Sequence, residues 1–198
     1  IVIRGDVTIC LNGQTLESSA SGQPVFLVEA DSTLTLTDCK GNTGKVKHTS
    51  DGSGSGVEVE SGGTFNMYGG TITKNTATDT YGGGVYVVDG TFTMNGGTIT
   101  DNTATNGGGG VYVVDGTFTM NGGPITDTTA TNGGGGVYVS GGTFTMNGNA
   151  SVTNNRANGK NGISGGVYVV DGTFTMNGGS ITKNTANSTD GGVGVYTA

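Results

Sequence analysis

The sequence predicts an all-β protein built as a right-handed parallel β-helix, and three observations carry this prediction. Glycine and threonine together supply 76 of the 198 residues, with 42 Gly and 34 Thr, and strong helix formers are scarce. Sequence motifs recur every 26 to 30 residues along most of the chain. Each recurring unit holds three short segments in which apolar and polar residues alternate, as they do in β-strands.

Three motifs define the repeat. The first is Val-Tyr-Val, beginning at Val85, Val111, Val137 and Val167. The second is Gly-Thr-Phe-Thr-Met-Asn-Gly, with its phenylalanine at Phe92, Phe118, Phe144 and Phe174, and a variant at Phe65. The third is Thr-Ile-Thr or a close variant, centred on Ile72, Ile99, Ile125, Val152 and Ile181. One unit cannot bury its own apolar residues, whereas units stacked one on another can. The right-handed sense is expected from the general chirality of parallel crossovers.

Alternation within each strand predicts which side chains enter the core. An early copy of the first strand reads Val-Glu-Val-Glu from Val57, so its valines must face inward and its glutamates outward. By the same register Tyr86 faces outward, while Phe92, Met94 and Ile99 face inward. We expect Ala104 and its counterparts to fill a tight inner corner.

The chain is expected to form one domain with two parts. Residues 1–56 are looser coils, in which Leu34 and Leu36 take the places of Phe92 and Met94, and Val46 that of Ile99. Residues 57–198 are the regular coils. Neither end of the sequence shows a convincing cap, and open β-helix ends expose strand edges. We therefore expect the chain to be a fragment of a longer protein.

Charge and hydropathy exclude two classes of partner. The formal net charge is -7, from 15 acidic and 8 basic residues, and no basic cluster suited to phosphate neutralisation is evident. Nucleic-acid binding is not expected. No run approaches the roughly 18 apolar residues that span a bilayer, so direct membrane insertion is not expected either.

The repeat motifs resemble those of a known family. Gly-Gly-Gly-Val at 82–85, 108–111 and 134–137, paired with Phe-x-x-Asn at 92–95, 118–121, 144–147 and 174–177, is similar to the polymorphic outer membrane protein repeats of chlamydial surface proteins. That family favours Ala where this chain has Gly84, Gly110 and Gly136. The resemblance implies a right-handed parallel β-helix in an extracellular or cell-surface adhesin or stalk.

Catalysis is not expected, and the sequence predicts no catalytic residue, cofactor or metal site. The single histidine, His48, is expected to be an inert surface residue. Asp89, Asp115 and Asp171 each precede a glycine, and we interpret these pairs as turns in which the glycine adopts positive φ. No CxxC spacing suits a metal.

Several rows of equivalent residues are expected to be structural. Asparagine recurs at Asn75, Asn102, Asn155 and Asn184, with Thr128 as the exception, and we expect a ladder of side-chain hydrogen bonds there. A second row runs Lys74, Asp101, Asp127, Asn154, Lys183 and is expected to lie on the surface. Cys10 and Cys39 are 29 residues apart, about one coil, which would place them on adjacent coils. The sequence is compatible with a disulfide between them and with two buried free thiols.

Two outward rows are candidate contact surfaces. The first contains Phe26, Glu58, Tyr86, Tyr112, Tyr138, Tyr168 and Tyr196. Aromatic rows can bind sugars, which favours an adhesin or stalk whose partner is a glycan or protein on a host or neighbouring cell. Rings that merely cover one another and stabilise adjacent coils are the alternative.

The second candidate surface is a lattice of threonines. Its members are Thr91, Thr93, Thr117, Thr119, Thr143, Thr145, Thr173 and Thr175. A flat Thr-x-Thr lattice resembles the ice-binding face of β-solenoid antifreeze proteins, so the rival hypothesis is an ice-binding protein. Threonine is also a common exposed strand residue, and a purely structural spacer is the third hypothesis.

Overall fold

The computed structural model describes residues 1–160, 163–188 and 192–198. All regular structure in these residues is β-strand. Strands are short because each coil must turn three or four times, and Gly, Asn and Asp residues punctuate the alternating segments.

The strands follow one another in a repeating order. The first two coils contain β1 (Val2–Ile3), β2 (Asp6–Cys10), β3 (Thr15–Ser18), β4 (Phe26–Val28), β5 (Thr33–Thr37) and β6 (Lys45–His48). The next two contain β7 (Val57–Val59), β8 (Thr64–Met67), β9 (Thr71–Thr73), β10 (Thr76–Ala77), β11 (Val85–Val88), β12 (Thr91–Met94), β13 (Thr98–Thr100) and β14 (Thr103–Ala104). Then come β15 (Val111–Val114), β16 (Thr117–Met120), β17 (Pro124–Thr126), β18 (Thr129–Ala130), β19 (Val137–Ser140), β20 (Thr143–Met146), β21 (Ser151–Thr153) and β22 (Arg156–Ala157). The last are β23 (Val167–Val170), β24 (Thr173–Met176), β25 (Ser180–Thr182), β26 (Thr185–Ala186) and β27 (Val195–Thr197).

The strands assemble into four parallel sheets that run along the axis. The valine sheet has the order β1-β4-β7-β11-β15-β19-β23-β27, and the threonine sheet has the order β2-β5-β8-β12-β16-β20-β24. The isoleucine sheet is β3-β6-β9-β13-β17-β21-β25, and the corner sheet is β10-β14-β18-β22-β26. Every strand therefore pairs with its own counterpart one coil away, which confirms the predicted parallel β-helix.

The core is a set of like-on-like stacks. Phe92 lies opposite Phe65 on one side and Phe118 on the other, and the rings stack at centroid distances of 4.9 and 4.7 Å. The Phe118–Phe144 rings stack at 4.7 Å with an interplanar angle of 5°. Leu34 continues this stack toward the N-terminus, opposite Phe65. The inward positions predicted from alternation are fully buried throughout β7 to β21.

Each strand of the corner sheet is a fourth strand of its coil, which the prediction of three strands per coil lacked. It consists of two-residue Thr-Ala segments, with Arg156–Ala157 in one coil. Two residues give too little alternation to read from the sequence. The predicted inner corner is correct for Ala77, Ala104, Ala130 and Ala157, which are all fully buried. Its last predicted member, Ala186, is only partly buried.

One inward–outward assignment is wrong. Phe26 was expected in the outward row with Glu58, but it pairs with Val57 and is fully buried, and Leu27 lies opposite Glu58 instead. Val25, just before the strand, is also buried. The run of apolar residues there gives no alternation, and a shift of one residue exchanges the two faces of a strand.

The glycines of the Gly-Gly-Gly-Val motif permit close approach between coils. A Cβ at Gly84 would lie 2.5 Å from the carbonyl oxygen of Gly110, and one at Gly110 would lie 2.5 Å from the Cγ2 of Ile125. These contacts exclude the alanine that the polymorphic outer membrane protein repeats favour at the same place.

Truncating a stacked phenylalanine tests the core. We expect Phe118→Ala to lower the free energy of unfolding by about 3–5 kcal/mol, because it opens a cavity between two ring neighbours. Phe174→Ala is the matched control, since Phe174 is only partly buried and its change should cost clearly less. Denaturant unfolding followed by circular dichroism measures both, and equal losses would contradict a continuous ring stack.

Candidate functional site

The tyrosine row lies where the sequence placed it, but it is not an exposed surface. Tyr86, Tyr112, Tyr138, Tyr168 and Tyr196 are in register on the outer side of the valine sheet. Tyr112 and Tyr168 are only 7% and 8% exposed. The expectation of a row of exposed rings is therefore wrong for these two residues.

Two features cover the tyrosines. Their rings contact one another in series: Tyr112–Tyr138 at a centroid distance of 4.6 Å and Tyr138–Tyr168 at 4.8 Å. Tyr81, from the preceding loop, packs on Tyr112 at 4.6 Å. The glycine loops also close over the row, because a Cβ at Gly107 would lie 2.5 Å from the Tyr138 ring. The geometry thus matches the stacking alternative rather than a free aromatic surface.

Burial changes the acidity of these phenols. Burial raises the pKa of Tyr112 well above its ordinary value of 10.0, and the neighbouring phenols Tyr138, Tyr81 and Tyr86 raise it further. The pKa values of Tyr86, Tyr138 and Tyr168 are raised as well, in each case chiefly by burial. Tyr86, Tyr112, Tyr138 and Tyr168 therefore form a seam of protonated phenols at neutral pH.

The threonine face is a regular and accessible surface. We use this name for Thr91, Thr93, Thr117, Thr119, Thr143, Thr145, Thr173 and Thr175, together with Asn95, Asn121, Asn147 and Asn177. The threonines form two unbroken rows on β12, β16, β20 and β24. All eight are partly or fully exposed. Neighbouring coils place equivalent groups about 4.8 Å apart, and the two rows lie about 7 Å apart along each strand.

The asparagines complete this face with an exposed ladder that the sequence reasoning missed. The Nδ2 of Asn121 donates to the Oδ1 of Asn95 at 2.9 Å, and Asn147 donates to Asn121 at 3.0 Å. Asn177 donates in turn to Asn147 at 2.9 Å. The signal was present in the Phe-x-x-Asn motif, because its asparagine directly follows each Met-ending strand.

The ladder ends at an exposed aromatic ring. Met67 pairs with Met94, so Tyr68 occupies the position of Asn95 one coil earlier. Its side chain is 56% exposed. A flat ring therefore stands at one end of a row of hydroxyl and amide groups.

The buried asparagine ladder was predicted, and the structure confirms it. The four asparagines of this row are buried: Asn75, Asn102, Asn155 and Asn184. Their side-chain amides form hydrogen bonds from one coil to the next. The Nδ2 of Asn75 donates to the Oδ1 of Asn102 at 3.0 Å, and Asn155 donates to Asn184 at 3.1 Å. Thr128 joins the ladder toward the C-terminus, since its hydroxyl lies 2.8 Å from the Oδ1 of Asn155 and 2.8 Å from the carbonyl oxygen of Gly135. Among the described residues its side chain makes no hydrogen bond to that of Asn102.

His48 belongs to this ladder and is not a surface residue. It is 3% exposed, and its Nδ1 lies 2.9 Å from the Oδ1 of Asn75. Its Nε2 lies 3.0 Å from the carbonyl oxygen of Gln23. The expectation of a surface histidine was wrong because the ring replaces an amide at the first rung. Its role is structural capping of the ladder.

The aspartate row forms turns, although by a different means than predicted. The positive φ belongs to the aspartates, at 47° for Asp89, 52° for Asp115 and 51° for Asp171. Gly141 takes the equivalent position in the coil without an aspartate, at 78°. The glycine after Asp89 is needed for space, because a Cβ at Gly90 would lie 2.8 Å from the Glu60 carbonyl oxygen.

Cys10 and Cys39 are joined by a disulfide in the structure, with Cα atoms 6.2 Å apart. The bond ties the first coil to the second at the edge of the threonine sheet. No group of three or more potential metal ligands occurs among the described residues.

Across residues 1–160, 163–188 and 192–198, no helix has the length and apolar character needed to cross a membrane.

No protein-family model, curated protein or solved structure matches this chain. The resemblance to polymorphic outer membrane protein repeats therefore stays a prediction.

The covered tyrosines predict a loss of stability in alkaline solution. A phenol whose pKa is raised by folding stabilises the folded state below its unfolded pKa, and this stability is lost as the pH rises above about 10. We expect the melting temperature to fall in that range, and to fall less in Tyr112→Phe, which keeps the ring but cannot ionise. Tyr68→Phe, at an exposed ring, is the control. An identical alkaline profile in wild type and Tyr112→Phe would contradict the covered seam.

The buried ladder predicts that two substitutions of Asn102 lower the free energy of unfolding by different amounts. Asn102→Ala leaves the Asn75 amide and the Ile72 carbonyl without their partner, and we expect a loss of about 1–3 kcal/mol in the free energy of unfolding. Asn102→Thr should lose less, because Thr128 already serves in this row. Chemical denaturation compares them, and an equal loss would show that hydrogen bonding along the axis is unimportant.

Proposed function

We propose that this chain is a rigid, extracellular β-helical segment of an adhesin that binds a surface glycan through its threonine face. The observation that carries the proposal is the exposed, uncharged lattice of hydroxyl and amide groups that ends at Tyr68. The tyrosine row, which favoured the adhesin from the sequence, has covered rings and instead stiffens the stack of coils.

The chemistry of the face suits neutral sugars. Hydroxyl and amide groups both donate and accept hydrogen bonds, as sugar hydroxyls require. An exposed tyrosine ring offers an apolar platform for a sugar ring. The repeat of about 4.8 Å presents the same groups many times, so that weak contacts add up along an extended saccharide.

Ice binding is the second candidate, and a separate observation favours it. From β12 to β24 the outward residues of the threonine sheet are only Thr and Asn, in register over four coils. A flat array of methyl and hydroxyl groups without charge can order a water layer. Tyr68 has no part in ice binding, so its substitution distinguishes ice binding from saccharide binding.

Two substitutions and one control test the proposal. Thr119→Tyr places a bulky ring in the middle of the face, and we expect it to weaken binding to neutral oligosaccharides on a glycan array at least about tenfold, or 1.4 kcal/mol. Tyr68→Ser should also weaken binding. Thr126→Tyr, on the isoleucine sheet, is the control and should bind as wild type does. Melting temperatures verify that all variants fold.

The same variants distinguish the alternatives. Thermal hysteresis in the wild type that is lost in Thr119→Tyr and kept in Tyr68→Ser would establish ice binding instead. Absence of both saccharide binding and thermal hysteresis would overturn both proposals and leave the structural spacer.

A further inference from the structure

A second surface, on the isoleucine sheet, gathers much of the positive charge of an acidic chain. Three of the eight basic residues, Lys45, Lys47 and Lys74, line one groove, although the chain carries a formal net charge of -7. Lys45 and Lys47 are outward residues of β6, and Lys74 follows β9 one coil later. The parallel register therefore brings together lysines that are far apart in sequence.

Polar groups complete the groove. Its remaining lining consists of Thr71, Thr73, Thr100 and Asp101. Thr73 is 4% exposed and forms part of its floor. The cavity has a volume of about 190 Å³.

A wider chamber of about 480 Å³ adjoins this cavity and shares Lys47, Lys74 and Asp101 with it. Thr49 also lines the chamber, and its buried Oγ1 finds no hydrogen-bond partner among the described residues.

Two of the three lysines of the groove form no ion pair with any described residue. Lys47 forms an ion pair with Glu17. In the described part of the chain no ion pair engages Lys45 or Lys74, even though Lys74 and Asp101 are adjacent in their row. The backbone N–H of Lys74 donates to the carbonyl oxygen of Asp101 at 3.1 Å, which fixes the two residues side by side.

We propose that this groove binds the carboxylate or sulfate group of an acidic saccharide, with Lys45 and Lys74 as the principal contacts. Ammonium groups supply the charge, and the hydroxyls of Thr73 and Thr100 supply neutral donors for the remaining oxygens of the anion. The hydroxyl of Thr71 already donates to the carbonyl oxygen of Asn42. Asp101, which also lines the groove, weakens binding by repulsion. This site lies on a different sheet from the threonine face and does not depend on the function proposed for it.

The repeat itself provides matched variants. Lys74 and Lys183 occupy equivalent turn positions with φ of 56° and 57°, and Asn154 holds the same position at 56°. Asparagine is therefore compatible with this backbone. Lys183 lies four coils from Lys74, about 19 Å, which exceeds the Debye length of about 8 Å at physiological ionic strength.

The test measures binding of a sulfated glycosaminoglycan tetrasaccharide to the whole chain by calorimetry. Lys74→Asn should raise the Kd about fivefold, the equivalent of about one charge contact in water, and Lys45→Thr should act similarly. Lys183→Asn should change the Kd less than about twofold because screening isolates it. Asp101→Asn should tighten binding about twofold or more, whereas Asp115→Asn, another turn aspartate with φ of 52°, should not.

The probes separate the sources of the anion. Binding of inorganic sulfate alone and of a neutral oligosaccharide of equal length is measured beside that of the tetrasaccharide. We expect Lys74→Asn to leave the Kd of the neutral oligosaccharide unchanged. Equal weakening by Lys74→Asn and Lys183→Asn would reduce the effect to diffuse charge and overturn the proposal. The proposal would also be overturned if the tetrasaccharide did not bind, or if Asp101→Asn left its Kd unchanged.

Discussion

The structure depends on one constraint: in a parallel β-helix each residue stacks on its counterpart in the next coil, about 4.8 Å away. Any side chain repeated in the sequence must therefore tolerate a copy of itself as its nearest neighbour. Phenylalanine, asparagine and tyrosine meet this condition through ring stacking and amide hydrogen bonds. Like charges are tolerated at exposed turns, where Asp89 lies one coil from Asp115 and Asp101 one coil from Asp127. Water keeps the repulsion between such exposed carboxylates small.

Much of the fold follows from the sequence because the same constraint leaves a visible period. The repeated Val, Phe and Ile motifs are sufficient to predict the parallel coils and the inward faces, and the recurring asparagines predict the buried ladder. The prediction failed where local pattern is weak: at Phe26, in an unbroken apolar run, and in the two-residue corner strands. His48 was misplaced because its function as the first rung depends on Asn75, a residue one coil away.

The functional surfaces were less predictable than the fold, since exposure depends on loops as well as on strands. Alternation correctly placed the tyrosines outside the coil, yet Tyr81 and the glycine loops cover them. The threonine rows remain open, since all eight of their residues are partly or fully exposed. The lysine groove had no sequence signature, because its members become neighbours only when coils stack.

Distances measured along the axis test the stacking register most directly. Nitroxide labels attached at Thr173 and, in separate samples, at Thr64, Thr33 or Asp6 report positions four, five and six coils apart in one row of the threonine sheet. Double electron–electron resonance should give distances that rise in steps of about 4.8 Å, near 19, 24 and 29 Å, although each step spans 27 or 31 residues. Distances that fail to rise in equal steps of this size would contradict the stacked-coil account.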